Sequence, residues 1–109
     1  MTQRTRKVAS LIQQVVAAEL QERLRAPEVS VTSVDVSPDL RHALVWLGII
    51  ETEKGQSAPE LFKQAEAIRP QLQDVVAKRL TSKFVPKISL RQDSSGEYAQ
   101  HIGRLMNNL

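Results

Sequence analysis

The sequence predicts an α+β fold in which a small sheet carries helices on one face. Three observations predict it. An apolar stripe at helical spacing opens the chain between Val8 and Leu24. Two segments rich in β-branched residues, 29–36 and 41–50, meet at Ser37-Pro38-Asp39. A second helical stripe, from Leu61 to Leu80, leads into an alternating segment over 84–92. With 109 residues, a single domain over 1–109 is expected.

The first helix is expected over 5–25, because Val8, Leu11, Ile12, Val15, Val16, Leu20 and Leu24 recur at spacings of three and four and form one face. Pro27 marks its stop. The first strand, 29–36, places Val29 and Val31 on one face but Val34 and Val36 on the other, so a bulge near Thr32–Ser33 is needed to reconcile them. Ser37-Pro38-Asp39 is turn chemistry, with proline presetting φ and Asp39 able to bond its own backbone. In the second strand, 41–50, Ala43, Val45, Leu47 and Ile49 face one way while Leu44, Trp46 and Ile50 face the other. Such a strand is central or doubly covered, or it carries an exposed patch for a partner.

After a polar loop over 51–58, Ser57 and Glu60 form a capping box for a helix that runs to about Ser82. Pro70 interrupts it. A proline inside a helix removes one backbone bond and clashes with the carbonyl four residues back, here that of Glu66, at a cost of about 3 kcal/mol. The apolar stripe continues on both sides, which predicts two helical halves joined by a kink at Ile68-Arg69-Pro70. In the third strand, 84–92, Ile88 and Leu90 point inward and Lys87, Ser89 and Arg91 outward. Ser94 with Glu97 is a further capping box, and Tyr98, Ile102, Leu105, Met106 and Leu109 follow at the spacing of a short C-terminal helix.

Composition removes several function classes. The chain has no cysteine, which excludes disulfides, thiolate metal sites and Cys nucleophiles. Its histidines, His42 and His101, are far apart, so no metal site is expected. No apolar run approaches the ~20 residues of a membrane span, and the start is polar and basic. No membrane association is expected, and the expected compartment is the cytosol. The net charge of +3 and pI near 9.6 favour a polyanionic partner.

Catalysis finds little support. No Gly-x-Ser-x-Gly elbow surrounds a serine, Ser37 has no general base beside it, and Asp39 is more simply a turn residue than half of a carboxylate pair with Asp35. His42 reads as a surface residue. The glycines at 48, 55, 96 and 103 build no phosphate loop, so no cofactor and no small-molecule substrate are expected. Trp46, Phe62, Phe84 and Tyr98 are too few aromatics for a sheet that stacks a row of bases. Trp46 is either a core residue or a stacking platform, and core is the simpler reading. The order helix, strand, strand, helix, helix, strand is that of a type II KH domain, yet no two glycines stand three apart to form the Gly-x-x-Gly clamp. The kink at Pro70 occupies the place of that loop.

Several stretches resemble the ribosome-binding factor A family of bacterial small-subunit assembly factors. They are Arg6-Lys7-Val8, Val34-Asp35-Val36-Ser37-Pro38-Asp39-Leu40-Arg41, Ala43-Leu44-Val45-Trp46, Lys78-Arg79-Leu80, Phe84-Val85-Pro86-Lys87-Ile88 and Asp93-Ser94. The resemblance covers nearly the whole chain. It implies a KH-like fold with a helix–kink–helix in place of the Gly-x-x-Gly loop. The family's kink is usually Ala-x-Gly. Here that position falls on Ile68-Arg69-Pro70, and proline still breaks the helix but has no N–H to offer.

Two basic clusters are the candidate RNA contacts. Arg4, Arg6 and Lys7 precede the first acid, Glu19. Lys78, Arg79, Lys83, Lys87 and Arg91 span a stretch without an acid, and Arg69 adds a charge at the kink. Cations at a helix C-terminus also offset its dipole, which accounts for Lys78, Arg79 and in part Lys83 without RNA, but not for Lys87 and Arg91. The resemblance implies a non-enzymatic monomer that binds the immature 30S subunit through its ribosomal RNA and assists late maturation and processing of the 16S precursor. The alternatives are a KH-like module for another RNA, or a protein-interaction domain using the outer side of the second strand.

Overall fold

The structure is a computed structural model and describes residues 3–53, 55–81 and 84–93. The elements are α1 (Gln3–Leu24), β1 (Val29–Val36), β2 (His42–Ile49), α2 (Ala58–Ala67), α3 (Arg69–Arg79) and β3 (Lys87–Gln92). This is the α+β, KH-like order that the sequence predicts. The expected C-terminal helix and its capping box, along with Lys83, lie outside the described residues.

The strands form one sheet in the order β1-β2-β3. β1 is antiparallel to β2, and β3 runs parallel to it. A parallel neighbour needs a crossover connection, and α2 with α3 supplies it. The register of β1 against β2 shifts between Val31 and Ser33, leaving Thr32 as the extra residue. That bulge lets Val29, Val34 and Val36 all be buried on the helical side.

α1 packs on β1 and α3, α2 on β2, and α3 on β3. The α1 stripe of Val8, Ile12, Val15, Val16 and Leu20 meets Val45, Leu47, Leu61, Leu72, Val76 and Ile88 in one core. α1 begins two residues earlier than expected and ends at Leu24 rather than 25, before Pro27 is reached. Arg25 adopts a left-handed φ of 51°, and its N–H returns to the Gln21 carbonyl at 2.9 Å. The Gln21 side chain then donates to Val29 O at 2.7 Å and holds the start of β1.

Pro70 does not sit inside a continuous helix. α2 ends at Ala67, Ile68 has φ −98° and ψ 6°, and α3 starts at Arg69, with Pro70 in its first turn. A proline there lacks an N–H that would have had no helical partner, so the expected penalty of an interior proline does not arise. Ser57 caps α2 by accepting the Glu60 N–H, while Glu51 Oε1 accepts from Ala58 N at 2.9 Å. α3 stops at Arg79, short of Ser82, because Leu80 is already extended. β3 starts at Lys87 rather than 84. Pro86 cannot donate to a ladder, and the Gln73 side chain takes its carbonyl (2.8 Å) and the Ile88 N–H (2.7 Å).

Candidate nucleic-acid interface

The two sequence clusters are redistributed by the fold. Arg69 at the helix break comes to β3, where Lys87 and Arg91 stand on the edge strand of the sheet. Together with Phe62 and Glu66 they line an open groove of about 660 Å³ between the kink and the strand edge. Lys87 and Arg91 are exposed while Ile88 and Leu90 are buried, as strand alternation requires. Glu66 contributes an acid to the same wall. Sequence reasoning missed Phe62 and Glu66, although spacings of four and three carry them onto the same helical side as Arg69.

A second, smaller concavity of about 240 Å³ joins the N-terminal cluster to the end of α3. Arg4 and Lys7 of α1 lie beside Arg79, over a floor of Val8, Leu11 and Leu80. The other described candidates, Arg6 and Lys78, line neither concavity. Arg6 is exposed on α1. Lys78 faces Asp74 one turn earlier, with Nζ to Oδ2 at 3.3 Å and both side chains exposed.

The strand hairpin explains why Ser37, Asp39 and His42 lie close together without a catalytic arrangement. Ser37 Oγ donates to Asp39 Oδ1 at 2.6 Å and accepts from His42 N at 3.0 Å, while Arg41 N donates to Asp39 Oδ1 at 3.1 Å. The Ser37 hydroxyl, followed by the Arg41 amide, holds the Asp39 carboxyl below its ordinary pKa. The imidazole of His42 takes no part in these bonds. Leu40, with φ 61°, turns the chain. This tip meets the segment before β3: Lys87 N donates to Arg41 O at 2.8 Å, and the Arg41 guanidinium lies 5.9 Å from the Phe84 ring centroid. Two stretches that resemble the family, Pro38–Arg41 and Phe84–Lys87, are therefore neighbours in space.

Trp46 is not in the core. It alternates with the buried Val45 and Leu47 and lies half-buried on the face away from the helices, donating its indole N–H to Asp35 Oδ2 at 3.2 Å. Among the described residues no group of three or more His, Asp or Glu side chains is placed to hold a metal, and no helix is long and apolar enough to cross a membrane.

Comparison with known proteins gives consistent results. The sequence profile described as Ribosome-binding factor A matches residues 4–106. A ribosome-binding factor A of Thermomicrobium roseum is 32% identical over 110 residues, covering 97% of this chain and 83% of the relative. The crystal structure of ribosome-binding factor A from Thermus thermophilus superposes with a TM-score of 0.64 at 16% identity, covering 81% of this chain and 94% of that one. A Thermus thermophilus ribosome-binding factor A fitted into a cryo-EM map of its complex with 30S gives 0.59 at 18% identity, covering 76% and 88%. At such identities the structures speak for the fold alone, but the profile extends over nearly all of the sequence. The chain belongs to the ribosome-binding factor A family.

Proposed function

We propose that this chain is a small-subunit assembly factor. It binds the immature 30S particle in the cytosol through ribosomal RNA, as a monomer, and assists late maturation and processing of the 16S precursor, making and breaking no bond itself. The observation that carries this reading is the groove in which Arg69, Lys87 and Arg91 converge between the helix break and the edge of β3. Three cations around an open concavity suit a folded phosphate backbone, recognised by charge and shape. The relative fitted into a 30S complex supports the choice of partner. Maturation then requires only that the factor bind one conformation of the RNA better than another.

The test is binding to purified immature small subunits across a salt series. Each phosphate contact contributes roughly −0.7 to −0.9 to the slope of log K against log salt, so the groove accounts for about −2 to −3. The double change Arg69→Ala and Lys87→Ala should flatten the slope by about 2 and leave the melting temperature near that of the parent. An unchanged slope overturns the assignment.

A further inference from the structure

The outer face of the sheet has an organisation that the groove does not use. Its middle row is Leu44 and Trp46, its β1 side carries Ser30, Ser33 and Asp35, and its β3 side carries Lys87, Ser89 and Arg91. Trp46 is half-buried, with a small neighbour on one side and a cation on the other. Its partner on β1 is Ser33, its partner on β3 is Arg91, and Gly48, two residues farther along β2, is buried. The indole is held by its N–H to Asp35, which lies toward β1 and away from the basic row. Asp93, at the end of β3, is engaged by the Thr32 hydroxyl at 3.1 Å.

We propose that this face holds one unpaired nucleotide of RNA, with its base against Trp46 and its phosphate on Arg91. The proposal rests on the RNA-binding reading and names the form of RNA: a nucleotide free of a duplex, since a paired base cannot reach a ring seated on a sheet. Arg91 is the β3 partner of Trp46, one strand spacing or about 4.8 Å away, so its charge and the ring serve the same nucleotide, while Lys87 pairs with His42 four residues back along β2. Stacking on a ring is sequence-tolerant because every base has a π-face, so no base preference is expected. A single aromatic supports a single base, unlike sheets that stack a series. Because β3 is the sheet edge, Lys87 and Arg91 border both the groove and this face, and a strand of RNA leaving the groove would meet Trp46 next.

Trp46 is the single tryptophan of the chain, so intrinsic tryptophan emission reports on this face alone. The full chain is titrated with octauridylate, with octaadenylate, and with a blunt ten-base-pair RNA duplex, following emission and the anisotropy of labelled RNA. Saturable quenching by both oligomers and none by the duplex is expected. Trp46→Leu should weaken oligomer binding about 5- to 150-fold, the equivalent of 1–3 kcal/mol per stacked base, with duplex binding unchanged. Ser33→Gln, which crowds the ring from its β1 partner position and keeps the indole, should reduce the quenching and guards against a misfolded tryptophan variant. Oligomer binding that leaves emission unchanged, or that survives both variants, overturns the platform. So does emission that changes with protein concentration alone, which would place a second copy on this face. Arg69→Ala serves as the control for the groove: a flattened salt slope with intact quenching separates failure of one site from failure of the other.

Discussion

The two faces of the sheet are built from the same strands and have opposite chemistry. Toward the helices stand Val34, Val36, Ala43, Val45, Leu47, Ile88 and Leu90, all buried. On the other face the alternate residues are Ser33, Asp35, Leu44, Trp46, Lys87, Ser89 and Arg91. Side chains alternate with a period of two, so each strand carries both chemistries at once and neither face can be altered by sliding the strand. The three described helices pack on one side, and that side carries the core. Among the described residues the opposite side carries charge, small polar groups, Leu44 and the Trp46 ring, and its exposed charges avoid the desolvation cost of burial.

The bulge is where β1 reconciles its two halves with this division. Deleting Thr32 removes the extra residue, so simple alternation along β1 then keeps Val29, Val31, Val34 and Val36 all on the helical face. The deletion exposes no valine and removes only the Thr32 hydroxyl with its bonds to Trp46 O and Asp93 Oδ2, a loss of about 1–3 kcal/mol. Urea unfolding would measure it, and a loss above about 4 kcal/mol would mean that the bulge itself holds the two faces apart. The next effect compares neighbours on β2. Leu47→Ala empties a fully buried site and should cost about 2–5 kcal/mol, whereas Leu44→Ala on the outer face should cost no more than about 1 kcal/mol. Equal losses would show that the outer face is also a core.

Much of this division was legible in the sequence. The slipped alternation of Val29, Val31, Val34 and Val36 required a bulge near Thr32, and the register shift lies there. Lys87, Ser89 and Arg91 alternate with Ile88 and Leu90 as the pattern demands. Three features were not legible, each because a tertiary contact decides it. Trp46 reads as core on hydrophobicity, yet its neighbours alternate with it into the true core. β3 reads as starting at 84, but Gln73, distant in sequence, takes the backbone groups on either side of Lys87. The basic clusters read as two runs along the chain. The fold instead pairs Arg79 with Arg4 and Lys7, and brings Arg69 to Lys87 and Arg91.

The smallest expected effect lies at the hairpin tip, which joins β1 to β2 beyond either face. Asp39 is fully exposed there, and its carboxyl is held below its ordinary pKa first by the Ser37 hydroxyl and then by the Arg41 amide. A carboxyl with a lowered folded-state pKa contributes stability that is present above the unfolded-state value and is lost as pH falls through the folded-state one. The turn should therefore keep its form at neutral pH and loosen only in acid, below the ordinary carboxylate range. The Arg41 amide proton, which donates to Asp39 Oδ1, is the local reporter, and its chemical shift should titrate with Asp39 while the amides of Val45 and Leu47 stay unmoved. Asp39→Ala should shift the Arg41 resonance at neutral pH to its acid position and abolish the titration. Should Val45 and Leu47 titrate together with Arg41, the tip and the buried face would be one cooperative unit, and the separation of the sheet into a stabilising side and a free side would not extend to its end.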